Sequence, residues 1–389
     1  MTTRPLDTAS LVTTASTIAA PVDSHTRIQT KTYFKGLNAL RFYAALSVVV
    51  QHIIHSPTDW YHVALPETLI TRFFLMGADA VNLFFVLSGF LITYLLMMER
   101  QRTGTISIRK FYGRRILRIW PLYFTILALV AFIIPLLVPN FDNPLHNVNL
   151  LMMLVFFLGN VGYVFFYPFP PLEHLWSIAV EEQFYLIIPV LMKLRQNVVP
   201  VFVSVIIVFW GLQLIVSSLP LVLGNIILTM RYDCMALGGL FAYAYFHRLP
   251  ILQTLSHRLT VTAALIVVGL TIAFRWEIYS HSPIAIYNIV TSLAYAVLIV
   301  NVALREHVAN ALGQPMLEQL GNISYGIYMY HPLLLFVFFK TTYAILPSEV
   351  YQMLMYPVII GSTIALAWLS YRHMETPFLK MRDRLKVAR

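Results

Sequence analysis

The sequence predicts an all-α, polytopic membrane helix bundle of about ten transmembrane helices, with a re-entrant or interfacial segment near residues 150–167. Three observations carry that prediction. Of 389 residues, 59% are hydrophobic and only 11% charged, against roughly 25% charged in soluble domains, and the mean hydropathy is +0.72. Apolar runs long enough to cross a hydrocarbon core of roughly 30 Å recur from Leu40 almost to the C-terminus. The basic residues, finally, collect on one side of those runs.

In chain order, residues up to Thr32 are rich in Thr, Ser and Ala and lack the apolar core and cleavage site of a signal peptide. Residues 1–35 are therefore expected to form a disordered cytoplasmic segment, 36–378 the membrane domain and 379–389 a basic cytoplasmic tail. Crossing helices are expected at Leu40–His55, Ala80–Met98, Ile116–Val138, Leu175–Leu194, Val198–Val216 and Leu221–Phe246. Four more are expected at Thr260–Phe274, Ile284–Val302, Ile323–Phe339 and Tyr351–Tyr371. The run Leu150–Tyr167 is ambiguous. Counted as a span, it would put Lys193, Arg195, Arg248, Arg258 and the basic tail outside; counted as re-entrant, it keeps them inside. With both termini cytoplasmic, the Lys and Arg residues at and beyond the span ends lie inside, except Arg72, Arg275 and Lys340. The prolines of Tyr167-Pro-Phe-Pro-Pro171 also suit a segment shielded from lipid, because they cannot close backbone hydrogen bonds.

The net charge of +10 is accounted for by positive residues held on the cytoplasmic face, so no nucleic-acid partner is expected. A single cysteine, Cys234, rules out an intramolecular disulfide. The twelve histidines show no ligand spacing, and no metal is expected.

An ionisable side chain in the bilayer costs about 2.5–3.5 kcal/mol on insertion scales, so each needs a partner, a water cavity or a function. Arg41 and His52 lie eleven residues apart on one stripe of the first helix, about 16 Å along its axis. Alone, the pair also fits a snorkelling arginine and an interfacial histidine. In Arg109–Pro121, Arg114 and Arg115 each lie one turn from Arg118, and the three suit a phosphate-bearing ligand, or simply set topology. Along the following motif, His174, Ile178, Glu181 and Tyr185 share a face beside Trp176, with Glu181 placed for proton transfer or for plain dipole compensation. Arg231 and Asp233 read first as a structural pair, and Ser324, Tyr328 and His331 form a further stripe with Tyr325 beside it.

Taken in order, these segments resemble the acyltransferase family 3 membrane proteins, sugar O-acetyltransferases of bacterial envelope glycans and some macrolides. The likeness rests on Arg41 and His52, on Phe84-Phe-Val-Leu-Ser-Gly-Phe-Leu91 and on Arg115-Ile-Leu-Arg118. It continues through His174-Leu-Trp-Ser-Ile-Ala-Val-Glu-Glu-Gln-Phe-Tyr185, Ser324-Tyr-Gly-Ile-Tyr-Met-Tyr-His331 and Glu375-Thr-Pro377. The resemblance implies an acyl-CoA donor, usually acetyl-CoA, entering from the cytoplasm, and an essential first-helix histidine. The expected site is then His52 as chemical centre with Arg41 and Glu181 tuning it, and Arg115, Arg118 and Arg114 on the donor phosphates. Ser88 and Gly89 are expected to pass the pantetheine arm, with His174, Trp176, Tyr185, Tyr328 and His331 as further site residues.

The expected acceptor is a glycan or lipid-linked sugar. The chain ends soon after its last span, which suggests that the extracytoplasmic SGNH-type domain of some relatives is missing and leaves room for acyl delivery to a separate extracytoplasmic acceptor protein. The expected location is the inner membrane. A macrolide or other small-molecule acceptor is the alternative within enzymes, and a transporter or flippase the alternative outside them, weakened by the lack of a repeat between the two halves.

Overall fold

The computed structural model describes residues 33–61, 77–138, 140–274, 278, 281, 283–343, 345 and 348–385. The expected lead-in before Tyr33 lies outside these, as do Arg72 and Arg275. Among the described residues every regular element is a helix.

Helix α1, Leu37–Tyr61, is 25 residues long, about 37 Å at 1.5 Å per residue, and can cross a bilayer. Helix α2, Gly77–Thr103, is followed by α3, Ile108–Ala128, whose first turn is capped by the Ser107 hydroxyl accepting from Lys110 N–H. Helix α3 runs on through a π-helical turn, Leu129–Ile133, to Leu137. The ambiguous run forms two eight-residue helices, α4 (Val148–Val155) and α5 (Gly159–Phe166), each only about 12 Å long and too short to span alone. They are parted at Phe157, whose φ of 56° is left-handed. Buried Tyr123 of α3 donates to the Leu154 carbonyl at 2.7 Å and fixes α4 against the bundle.

Next come α6 (Leu175–Leu194), α7 (Val199–Leu214), α8 (Leu221–Thr229) and α9 (Tyr232–Phe246). The expected span Leu221–Phe246 is thus broken at Met230–Arg231. The Arg231 guanidinium lies 3.5 Å from the Asp233 carboxylate and donates to Cys234 Sγ at 3.0 Å, so the break carries its own counter-charge. Helices α10 (Ile251–Leu255), α11 (Arg258–Ala273), α12 (Ile284–Leu304), α13 (Glu306–Leu312) and α14 (Pro315–Asn322) follow. Helix α15 (Ser324–Thr342) and helix α16 (Ser348–Ser370) lead through a π-helical turn, Tyr371–Glu375, into α17 (Thr376–Arg384).

Seven of the described helical segments are long and apolar enough to cross a membrane, and α7 and α11 are shorter apolar helices. Helix α15 carries three tyrosines, a histidine and a proline and is not among the seven. The outer surface bears the mark of lipid rather than water: Leu136, Leu221 and Met353 are 80%, 79% and 78% exposed, apolar area that a soluble protein would hide.

At the centre, α2 and α9 touch backbone to backbone. A Cβ at Gly89 would overlap the Met235 carbonyl, and one at Gly238 would overlap the Val86 carbonyl. This reciprocal contact is the small-residue packing that brings membrane helices together. It places Gly89 in a helix interface.

Candidate functional site

Helices α1, α2, α3, α6 and α15 enclose a cavity of about 100 Å³ lined by Arg41, Ser88, Arg115, Arg118, Glu181 and Tyr185, with Tyr328 at its far wall. Its polar character follows from where each helix presents its charge. Arg41 opens α1 and donates to Asn38 Oδ1 at 3.0 Å. Asn38 in turn donates to Glu318 of α14 at 2.8 Å, so a carboxylate beyond the cavity steadies the first arginine. Arg115 stands over the ring of Tyr185 at 5.7 Å, a cation–π contact, and its buried Nε has no hydrogen-bond partner. Arg118 lies beside Ile119, whose carbonyl accepts from Tyr325 OH at 2.9 Å, joining α3 to α15. Glu181 accepts from Ser88 Oγ at 2.6 Å and from Tyr185 OH at 3.1 Å.

Three guanidinium groups therefore face one carboxyl group in a buried space. Burying ions costs several kcal/mol each unless they are paired, and guanidinium forks bind phosphate oxygens bidentately. Such a lining can receive an anion.

Beyond Tyr328 lies a cluster of three histidines. Tyr328 OH donates to the His174 carbonyl at 3.1 Å and shares a 2.7 Å hydrogen bond with Ser177. Its ring centroid is 5.7 Å from His331 and 5.6 Å from His174. His331 and His52 stack with centroids 5.0 Å apart. His52 Nδ1 lies 2.8 Å from His331 Nε2, and His331 Nδ1 lies 3.2 Å from the Ile327 carbonyl oxygen. A carbonyl only accepts, so His331 is protonated at Nδ1; a neutral His331 then accepts at Nε2 from His52 Nδ1–H. The lone pair of His52 is left on Nε2. The His174 ring faces the backbone of Pro171 and Met329 without closing a hydrogen bond of normal geometry.

The structure brings together most of the residues singled out in the sequence, in two adjoining groups. Arg41, Ser88, Arg115, Arg118, Glu181, Tyr185 and Tyr328 line the cavity. His52, His174 and His331 pack behind Tyr328. The others are placed elsewhere. Arg114 points away into an ion pair with Glu99 at 2.7 Å and donates to the Leu385 carbonyl at 3.2 Å. Gly89 faces Met235, and Trp176 lies against Phe85 and Tyr163. Sequence reasoning overlooked Ser177, although its spacing of four from Glu181 on α6 was a usable signal. Among the described residues no group of three His, Cys, Asp or Glu is arranged to hold a metal ion.

Outside the membrane spans, the Glu318 carboxylate is held below its ordinary value by hydrogen bonds from Tyr33 OH, Gly36 N–H and Asn38, and Tyr33, partly desolvated and beside that carboxylate, is pushed up to about 12.

Fold and site define a polytopic membrane protein in which a cavity lined by three arginines adjoins a hydrogen-bonded pair of histidines. A family model described as an acyltransferase domain matches residues 34–372, and the chain belongs to that family, acyltransferase family 3. Among curated proteins, the one named "Putative O-acetyltransferase SACOL0978" of Staphylococcus aureus strain COL is 27% identical over 398 residues, covering 91% of this chain and 59% of its own length. "O-acetyltransferase OatA" of Staphylococcus aureus strain NCTC 8325 is 25% identical over 371 residues, covering 90% of this chain and 57% of its own. The chain thus spans under three fifths of these relatives. No solved structure matches the chain.

Proposed function

We propose that the protein is an integral membrane O-acyltransferase that moves an acyl group, most simply acetyl, from acyl-CoA to a hydroxyl of a cell-envelope or exported glycan. It works in the inner membrane with both termini cytoplasmic, the orientation that keeps most basic residues inside. The observation that carries the reading is the nearness of an arginine-lined cavity to a hydrogen-bonded His52–His331 pair, with Tyr328 and Ser177 at the junction.

In this reading Arg115, Arg118 and Arg41 hold the donor's phosphate end, and its thioester passes Tyr328 to reach His52. The Nε2 lone pair removes the proton of the acceptor hydroxyl while that oxygen attacks the thioester carbonyl. An ester C–O bond forms, the C–S bond breaks, and the CoA thiolate leaves with the proton taken from the imidazolium. The same lone pair also serves as nucleophile if the acyl group first rests on His52 and is then passed on. The acceptor takes the acyl group directly or through a separate extracytoplasmic partner protein.

The test uses the full chain in lipid nanodiscs with radiolabelled acetyl-CoA, and the source cells with the gene deleted and restored. Base-labile label on glycan that disappears in His52→Ala at equal protein level is the expected result. Movement of a solute with no thioester consumed would make the protein a transporter instead.

A further inference from the structure

A second cavity, about 400 Å³ in volume, opens at the other end of α15 and reaches the size of small-ligand sites, roughly 300–1,000 Å³. Helix α15 serves as the ruler between the two. Tyr328 lines the arginine cavity, His331 follows three residues later, and Phe336, five residues further, lines the second cavity. At 1.5 Å per residue these steps are about 4.5 and 7.5 Å, so the histidines lie between the two spaces. Helix α6 gives the same order from its own side. Phe169, whose N–H donates to Glu173 at 3.0 Å, lies on the second cavity just before His174, while Glu181 and Tyr185 lie on the first.

We infer that this groove, between the 140–147 segment, the Phe166–Pro170 turn and the end of α15, is the acceptor subsite, and that it takes a neutral carbohydrate. The inference rests on the acyltransferase reading. Its chemistry is unlike that of the first cavity. Its charged lining is one carboxylate, Asp142, and one ammonium, Lys340, in place of three guanidiniums facing one carboxyl. An anion gains little there. His146 and Asn147, both exposed, add planar polar side chains: the imidazole donates and accepts, and the Asn147 amide, its Oδ1 engaged at the start of α4, donates, which suits hydroxyls that do both.

The floor is aromatic. Phe169 and Phe336 are 3% and 2% exposed, and Phe141 meets Phe336 edge-on at 5.2 Å. An apolar floor of packed aromatic side chains and hydrogen-bonding groups at the rim suit a sugar ring, which carries C–H groups on its faces and hydroxyls along its edge. A sugar seated here presents a hydroxyl toward His331 and His52, on the side opposite the donor. The 140–147 segment is held rigid by its own hydrogen bonds. Buried Asn143 accepts from Leu145 N–H at 3.0 Å and donates to the end of α3 at Val130, and Asn147 caps α4.

The experiment restores the deleted gene in the source cells as wild type, as the double variant Asp142→Ala/His146→Ala, as Lys340→Ala, and as His52→Ala. Base-labile acetate is then measured on purified envelope glycan, protein and small-molecule fractions, and acetyl-CoA affinity on each protein in nanodiscs. Asp142, His146 and Lys340 are all exposed and lie outside the histidine cluster. The expected result is at least a tenfold loss of glycan acetate in the groove variants, with acetyl-CoA affinity within twofold of wild type. Unchanged glycan acetate in the groove variants, or a parallel loss of donor affinity, overturns the acceptor subsite while leaving the acyltransferase reading intact. Acetate that ends on a small molecule, or on protein with none passed to glycan, overturns the carbohydrate class. If wild type adds no acetate that His52→Ala removes, the acyltransferase reading fails and this inference goes with it.

Discussion

His331 accepts from His52 across 2.8 Å while its own Nδ1–H is occupied by the Ile327 carbonyl. One imidazole thus fixes the tautomer and the ring orientation of the other. His331→Ala should lower turnover by about 10–100-fold and leave the acyl-CoA KM within twofold, since no cavity contact is lost. His331→Gln, whose amide oxygen can take the place of Nε2 as acceptor, should recover much of the loss. His52→Ala should lower turnover by about 10²–10⁴-fold, the usual worth of a general base. Steady-state kinetics at matched protein level in nanodiscs separates these cases. An alanine at 331 that raises the donor KM and spares turnover would contradict a positioning role.

Adjacent arginines on α3 have different jobs. Arg118 faces the cavity, whereas Arg114 neutralises Glu99, whose side chain is only 4% exposed. Arg118→Ala should weaken acyl-CoA binding by about 1.5–3 kcal/mol, roughly 10–100-fold, the loss expected for charge-assisted hydrogen bonds. Arg114→Ala should leave donor affinity alone and cost about 3 kcal/mol of stability, because it leaves the buried Glu99 carboxylate with the Ser107 N–H but without its counter-charge. Titration calorimetry with CoA and thermal unfolding in detergent report the two quantities. If both variants lose donor affinity equally, the assignment of roles is wrong.

Gly89→Ala should abolish accumulation of the protein. The added methyl would meet the Met235 carbonyl, and backbone leaves no flexible side chain to move aside, so the overpacking cost should reach about 3 kcal/mol or more. Membrane immunoblots measure it. Normal abundance with impaired activity would instead put Gly89 on the donor path.

The helices and their membrane setting were readable because period and length of apolar runs report local structure directly. Convergence was not. His52, His174 and His331 sit in three separate motifs on or beside α1, α6 and α15, and no spacing within one helix tells that they meet. The difference between Arg114 and Arg118 was hidden for the same reason: both are one turn from a neighbouring arginine, and only the position of Glu99 on α2 separates them. The second cavity is not legible in the sequence because, Lys340 apart, its polar residues lie in the 140–147 stretch, where composition signals a loop and nothing more.

Glu318 gives the last prediction, and its sign can be worked out. Its folded-state value is below the ordinary 4.5, so its contribution to stability is complete above about pH 4.5 and falls away as pH drops through the lower folded value. Tyr33 acts at the opposite limit: with its hydroxyl raised from 10.0 to about 12, its contribution is complete below pH 10 and is lost as pH climbs toward 12. Between these limits the latch joining α14 to the start of α1 should be indifferent to pH. Because the carboxylate is only half-buried, screening by solvent keeps its share to about 1 kcal/mol. Glu318→Gln should therefore flatten the acid side of a plot of unfolding midpoint against pH from 3 to 6 and lower the midpoint slightly at pH 7. It should also raise the acyl-CoA KM a few-fold, since Asn38 carries the restraint from Glu318 to Arg41. An acid limb that survives the substitution would show that other carboxylates set it.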